Sequence, residues 1–159
     1  MALDPKKTLD AYRAKRGEFR ILEVPLMQYL MVDGAGDPNS AQAYQDAVSA
    51  LFPVAYTLKF ASRDQLGIDT VVMPLEGQWH APDMESFTSR RDKSAWEWTL
   101  MIMVPEHVTR EMFDRAVDTV EEKLAKKKQA SPALRSVRLE TLDEGCLLYT
   151  SDAADDLLC

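Results

Sequence analysis

Asp92-Lys93-Ser94-Ala95-Trp96-Glu97-Trp98-Thr99-Leu100-Met101-Ile102-Met103-Val104-Pro105 is the stretch whose reading decides the fold. Its alternation predicts a strand, with Trp96, Trp98, Leu100 and Ile102 on one face and Glu97, Thr99, Met101 and Met103 on the other. Neither face stays polar for long, so both are expected to be covered. Two indoles on one face admit two readings. They are core, because Trp supplies a large buried area, or they are the aromatic wall of a ligand cleft. The strand alone leaves both open.

Upstream, residues 8–16 read as a short helix that Gly17 ends, with Tyr12 as its one large aromatic side chain. Phe19 to Val32 is rich in strand formers. Pro25 has no N–H to give a ladder, so it marks an edge, a bulge or a break into two strands. Gly34-Ala35-Gly36-Asp37-Pro38 stops the strand; its spacing fits neither phosphate-loop pattern. Asn39 or Ser40 is expected to cap a helix whose apolar stripe runs through Ala43, Tyr44, Ala47, Val48, Leu51 and Phe52. Pro53 predicts a kink or restart before the pattern continues to Arg63. Tyr56 falls off this stripe, facing solvent or a cleft. In the stretch Ile68 to His80 the Val-rich part reads as strand, with Pro74 and Gly77 making an irregular end that aims side chains at a site. Glu76 there is a solvated or capping acid, or a pocket carboxylate. Residues 81–94 read as a loop with a short helical turn, anchored by Phe87.

Downstream, Thr109 caps a helix with Glu111 in its first turn and a buried stripe through Met112, Phe113, Ala116, Val117, Val120 and Leu124. Leu134 to Leu142 alternates as a further strand, with Val137, Leu139 and Thr141 facing one way. Strand, helix, strand therefore occurs twice, over Phe19–Leu75 and Ala95–Leu142. This repeat of element order predicts an α+β fold, with two units side by side and a cleft between them.

The 159 residues suffice for one domain with a real core. A net charge of −7 argues against direct nucleic-acid binding. No apolar run reaches membrane-spanning length, and the N-terminus lacks the apolar core of a secretory signal, so a cytoplasmic protein is expected. His80 and His107 have no spaced partners, so no metal and no cofactor is expected. Both cysteines, Cys146 and Cys159, lie in the last fourteen residues, and the rest of the chain suggests no disulfide.

An ordered set of segments resembles the GyrI-like small-molecule-binding family, also described as the bacterial transcription-activator effector-binding fold. The matching text is Glu23-Val24-Pro25, Tyr29-Leu30-Met31-Val32-Asp33-Gly34-Ala35-Gly36-Asp37-Pro38-Asn39, Tyr56-Thr57-Leu58-Lys59-Phe60 and Val72-Met73-Pro74-Leu75-Glu76-Gly77-Gln78-Trp79. It resumes at Asp92-Lys93, Trp96-Glu97-Trp98-Thr99-Leu100-Met101-Ile102, Pro105, Val108-Thr109, Val137-Arg138-Leu139-Glu140 and Glu144-Gly145. The resemblance implies a duplicated strand–helix–strand–strand module with a central ligand cleft. It implies a bulky, flat, hydrophobic or cationic ligand, with Tyr56, Met73, Glu76, Trp79, Trp96 and Trp98 as candidate ligand-binding residues. Some members of that family hydrolyse cyclopropane-bearing genotoxins. Others bind only, as drug sinks, effector sensors or gyrase-protecting partners, and a protein partner for this chain is unknown. The family's central acid sits in a His-Glu-Ile-Tyr-like segment near the C-terminus that this sequence lacks, so whether the chain is an enzyme is left open and its catalytic residues are unknown.

Cys146 to Asp155 resembles the translation of a transposase-type sequencing adapter. Residues 1–145 are therefore expected to be a GyrI-like domain with its second module incomplete, and 146–159 a non-native tail. An incomplete duplicated fold leaves a sheet edge unpaired and apolar surface uncovered. Expressed as written, the chain is expected to be poorly soluble or partly unfolded. A cooperative thermal transition in a monodisperse monomer is the result that contradicts this.

Overall fold

The computed structural model describes residues 2–13, 17, 19–86, 88 and 91–150. The expected anchor Phe87 and the end of the tail, 151–159, lie outside them. Among the described residues six strands and three α-helices follow in the order α1 (Pro5–Thr8), β1 (Phe19–Val24), β2 (Met27–Ala35), α2 (Gln42–Leu66), β3 (Leu75–His80), β4 (Glu97–Val104), α3 (Arg110–Lys126), β5 (Arg138–Leu142) and β6 (Gly145–Thr150). This is an α+β fold with a four-stranded antiparallel sheet, β3-β4-β2-β5, and a separate two-stranded ribbon, β1-β6.

The double-Trp strand is β4, at the centre beside β2. Each repeat unit hands its second strand to the other. In the first unit, β2-α2-β3, the outer strand pairs with β4; in the second, β4-α3-β5, it pairs with β2. The two units are thus interlocked in one sheet. Antiparallel pairing of β2 with β4 over eight residue pairs, from Gln28↔Val104 to Ala35↔Glu97, leaves one free edge on each strand for that exchange.

Register divides the sheet into two faces. Leu30, Val32, Trp98, Leu100 and Ile102 share the face that α2 covers, with α3 packed against α2. The Trp98 indole meets the Tyr44 ring of α2 edge-on, centroids 5.4 Å apart, and donates from Nε1 to the Gly36 carbonyl at 3.2 Å. It lies flush on Gly34: a Cβ at that position would stand 2.1 Å from the ring. Gln28 ties the far end of this face by donating to the Pro105 and Val108 carbonyls, 3.2 and 2.9 Å away.

Several local expectations change. The helix expected over 8–16 is instead the short α1 and a 3₁₀ turn at Asp10–Tyr12, with Leu9 extended between them. Pro25 breaks β1 from β2, since it cannot join a ladder. α2 starts after Ala41, not at an Asn39 or Ser40 cap; the Asp37 carboxylate accepts from the Asn39 amide instead and holds that stretch as a turn. α2 runs through Pro53 as one helix and ends at Gly67, whose φ of +68 suits glycine. Val71–Met73 form no strand; Thr70 makes one parallel bridge to Leu3, and the strand begins only after Pro74. Of the expected α2 stripe, Phe60 is exposed while Ala47, Leu51, Val54 and Leu58 are buried. α3 has its Thr109 cap, accepting from the Met112 amide at 3.2 Å, and its buried stripe from Met112 to Val120.

The ribbon β1-β6 sets Cys146–Thr150 opposite Phe19–Glu23. A ladder is made of backbone groups, so it forms whatever side chains those residues carry. β1 leaves Phe19 and Ile21 exposed and turns Val24 inward.

Gly34→Ala drives a methyl into the Trp98 ring and is expected to destabilise the fold by about 1–3 kcal/mol, as overpacking does. Trp98→Ala is expected to cost about 3–5 kcal/mol. Because the two residues touch, the double variant should lose less than the two single losses combined. Chemical denaturation of the four proteins measures this, and strict additivity would exclude the contact.

Candidate functional site

The face turned away from the helices carries the polar chemistry. Tyr29, Met31 and Asp33 of β2 share it with Thr99, Met101 and Met103 of β4, Glu76 of β3, and Arg138 and Glu140 of β5. Its two ends differ. At one end, Arg138 grips Asp33 with two donors, at 2.9 and 3.0 Å, and Thr99 donates to the same carboxylate at 2.6 Å. Partial burial would raise the Asp33 pKa, but the hydrogen bonds from Thr99 and Arg138 outweigh it and the carboxyl sits below its usual value. That end is an exposed ion pair across three strands.

The other end is closed. Leu9, Ala11 and Tyr12 pack onto the core cluster that contains Tyr29, Met101 and Met103. The Tyr12 hydroxyl donates a short hydrogen bond to Glu76 Oε1. Tyr29 is fully buried, and its hydroxyl has no well-formed hydrogen bond among the described residues, although it lies close enough to Tyr12 and Glu76 to feel both. Glu144, in the turn between β5 and β6, completes the group.

Burial dominates the electrostatics here. It pushes the Glu76 pKa up; the Tyr12 hydrogen bond opposes this and the nearby Glu144 charge adds to it. Burial raises Glu144 as well. Both phenols are held far above their ordinary range, first by burial and then by the charge of Glu76. The arrangement therefore keeps two neutral hydroxyls beside a carboxyl that takes a proton readily.

Of the six residues expected at a ligand site, Glu76 alone belongs to this cluster. Trp98 and Met73 are each 1% exposed in the helix-side core, where a ligand would have to displace packed side chains to reach them. Trp79 pairs with Trp98 and so shares the helix-side face; its ring meets that of Trp96 edge-on at 5.7 Å, and both are half-buried. Tyr56 is exposed on α2, in the layer across the sheet from Glu76. The strand phase of Glu97, Thr99, Met101 and Met103 held the signal that sequence reasoning missed: Tyr29 and Glu76 are in register with that face. Tyr12 and Glu144 carry no local signal, because chain geometry alone brings them in.

Two hollows lie elsewhere. One of about 10 Å³ is lined by Leu58, Ser62, Thr70 and Met73, and one of about 250 Å³ by Gln65, Leu66, His107 and Arg115. Among the described residues no group of His, Cys, Asp and Glu is arranged to hold a metal, and no helix is long and apolar enough to cross a membrane.

No family model and no curated protein matches this chain. Solved structures do. An uncharacterized conserved protein from Listeria innocua superposes with a TM-score of 0.79 at 30% identity, over 98% of this chain and 75% of that one. A hydrolase from the same organism gives 0.73 at 34%, over 92% and 69%. Another hydrolase of Listeria innocua gives 0.73 at 29%, over 96% and 76%. With such identity over more than two thirds of their length, this chain belongs to the family of these Listeria innocua proteins.

Proposed function

We propose that the chain is a small-molecule-binding protein of the GyrI-like type with hydrolase chemistry at the sheet face turned away from the helices, beneath the N-terminal segment. The observation that carries this is the half-buried Glu76 carboxyl, with its raised pKa, set beside the buried hydroxyl of Tyr29. The hydrolase names of two relatives support the reaction class.

The chemistry follows from the two groups. Ionised Glu76 takes a proton from water as that water's oxygen bonds to an electrophilic carbon of the ligand. For a strained ring conjugated to a carbonyl, the ring C–C bond breaks and its electron pair moves to the carbonyl oxygen. The Tyr29 hydroxyl donates to that oxygen where charge develops. Proton return from Glu76 leaves a net addition of water. Apolar Met101 and Met103 beside these groups lower the local dielectric, which strengthens both interactions.

Glu76→Gln is expected to lower kcat by roughly 10²–10⁴-fold on a cyclopropane-bearing substrate, the usual worth of a positioned general base. The wild-type rate should rise with pH through a pKa above the usual carboxylate range, as burial of Glu76 dictates. Detection of ring-opened product by mass spectrometry reads both. Full turnover in Glu76→Gln would falsify the assignment, and ligand binding without turnover in the wild type would leave a binding-only module.

Stability carries the same signature. A carboxyl whose folded pKa exceeds its unfolded value stabilises the fold below the unfolded pKa and loses that contribution as pH rises through the folded one. Glu76 and Glu144 both act in this direction; Asp33 acts in the opposite one, losing its contribution as pH falls. Thermal melts from acid to neutral pH should therefore show a smaller fall in Tm for Glu76→Gln than for the wild type. Equal falls would mean that Glu76 titrates normally.

A further inference from the structure

The chain's own N-terminal segment occupies the place beside Glu76. It is tied down at its two ends. Near its start, the Leu3 amide donates to the Asp69 carbonyl at 2.7 Å and the Val71 amide to the Leu3 carbonyl at 3.1 Å. Near its end, Arg20 of β1 holds the Asp10 carboxylate at 3.3 Å and the Arg13 carbonyl at 3.2 Å. Between these ties the segment sends one aromatic side chain, Tyr12, toward the sheet, and its hydroxyl donates to Glu76. Asp10 is 62% exposed, and exposed ion pairs of this kind contribute little. What holds the middle of the segment down is apolar packing of Leu9, Ala11 and the Tyr12 ring, plus that one hydrogen bond.

A planar ring with a neutral donor at its edge is thus the group that the face accepts. A small molecule presenting the same group would meet the same acceptor, Glu76, and the same apolar floor of Met101. Resting on the reading of this face as the ligand site, we propose that Tyr12 stands where a ligand's own aromatic hydroxyl or N–H binds. The site selects neutral aromatic donors, and the N-terminal segment lifts from the sheet when one enters. A carboxyl oxygen accepts from a neutral donor in either protonation state, as it does from the Tyr12 hydroxyl, whereas a cation gains only from the ionised form.

The test uses 2-naphthol as probe and 2-methoxynaphthalene, which lacks the donor, as control, each titrated by Trp fluorescence. Tyr12→Ala is expected to bind 2-naphthol about tenfold more tightly than the wild type, since the probe no longer competes with a hydrogen bond of about that worth. The ether should bind more weakly than the naphthol in Tyr12→Ala, and adding Glu76→Ala should erase that preference. In the wild type, saturating naphthol should speed amide hydrogen exchange at Leu3 and Val71. Unchanged or weaker naphthol binding in a Tyr12→Ala protein that still melts cooperatively overturns the proposal, as does unaltered exchange at Leu3 and Val71. Should Tyr12→Ala not fold, Tyr12→Phe decides, because it keeps the ring and drops only the hydroxyl: tighter naphthol binding supports the inference, and unchanged binding overturns it. These binding arms need no turnover. Full activity in Glu76→Gln would remove the hydrolase reading alone, and failed naphthol arms with that activity lost would remove the displacement alone.

Discussion

The seating of the Trp98 indole on Gly34 is the contact on which the rest of the structure depends. It joins the two central strands at the point where they pair, and it meets Tyr44 of α2 from the same ring. One residue without a side chain and one with the largest make a single packed layer there. The face that α2 covers follows from it, and so does the phase of every other residue in β2 and β4, because a shift of one residue would turn each side chain to the opposite face.

That phase leaves the other face to the functional chemistry. Tyr29, Met101 and Glu76 point away from the helices because Leu30, Leu100 and Leu75 point toward them. The exchange of outer strands between the two repeat units places Glu76 next to β4 rather than next to its own unit's first strand. The carboxyl therefore lies across β4 from Tyr29, over two methionines. An acid that would be ordinary on a solvated edge becomes a group with a raised pKa, because the N-terminal segment packs over the remaining side and half-buries it.

Much of the fold was legible in the residues. Alternation in 96–104 identified β4 and its two faces, and the Thr109 cap with the stripe from Met112 to Val120 identified α3. Other elements obeyed stronger local terms. The Val71 amide goes to the Leu3 carbonyl and the strand begins only after Pro74, and the Asp37 side chain took the turn that Asn39 and Ser40 were expected to leave for a helix cap. The candidate site was legible only in part. Glu76 stood out as a lone acid after an apolar run, yet the tryptophans drew attention to the helix-side face, where Trp98 is core and Trp79 is half-buried. Their size says that they bury, and nothing local says against what.

By itself the sequence determined the type of the main elements β2, α2, β4, α3 and β5, the division of the central strand into two faces, and the α+β class, because these rest on periodicity and on the stereochemistry of proline, glycine and caps. Tertiary structure decided which face is covered by helices, which outer strand joins which central strand, and that Tyr12, Tyr29, Glu76 and Glu144 meet. Those outcomes depend on contacts between residues 60 or more positions apart in the chain, such as Tyr12 with Glu76 and Gly36 with Trp98. No local preference encodes such meetings, and they follow only when all the apolar stripes are buried at once.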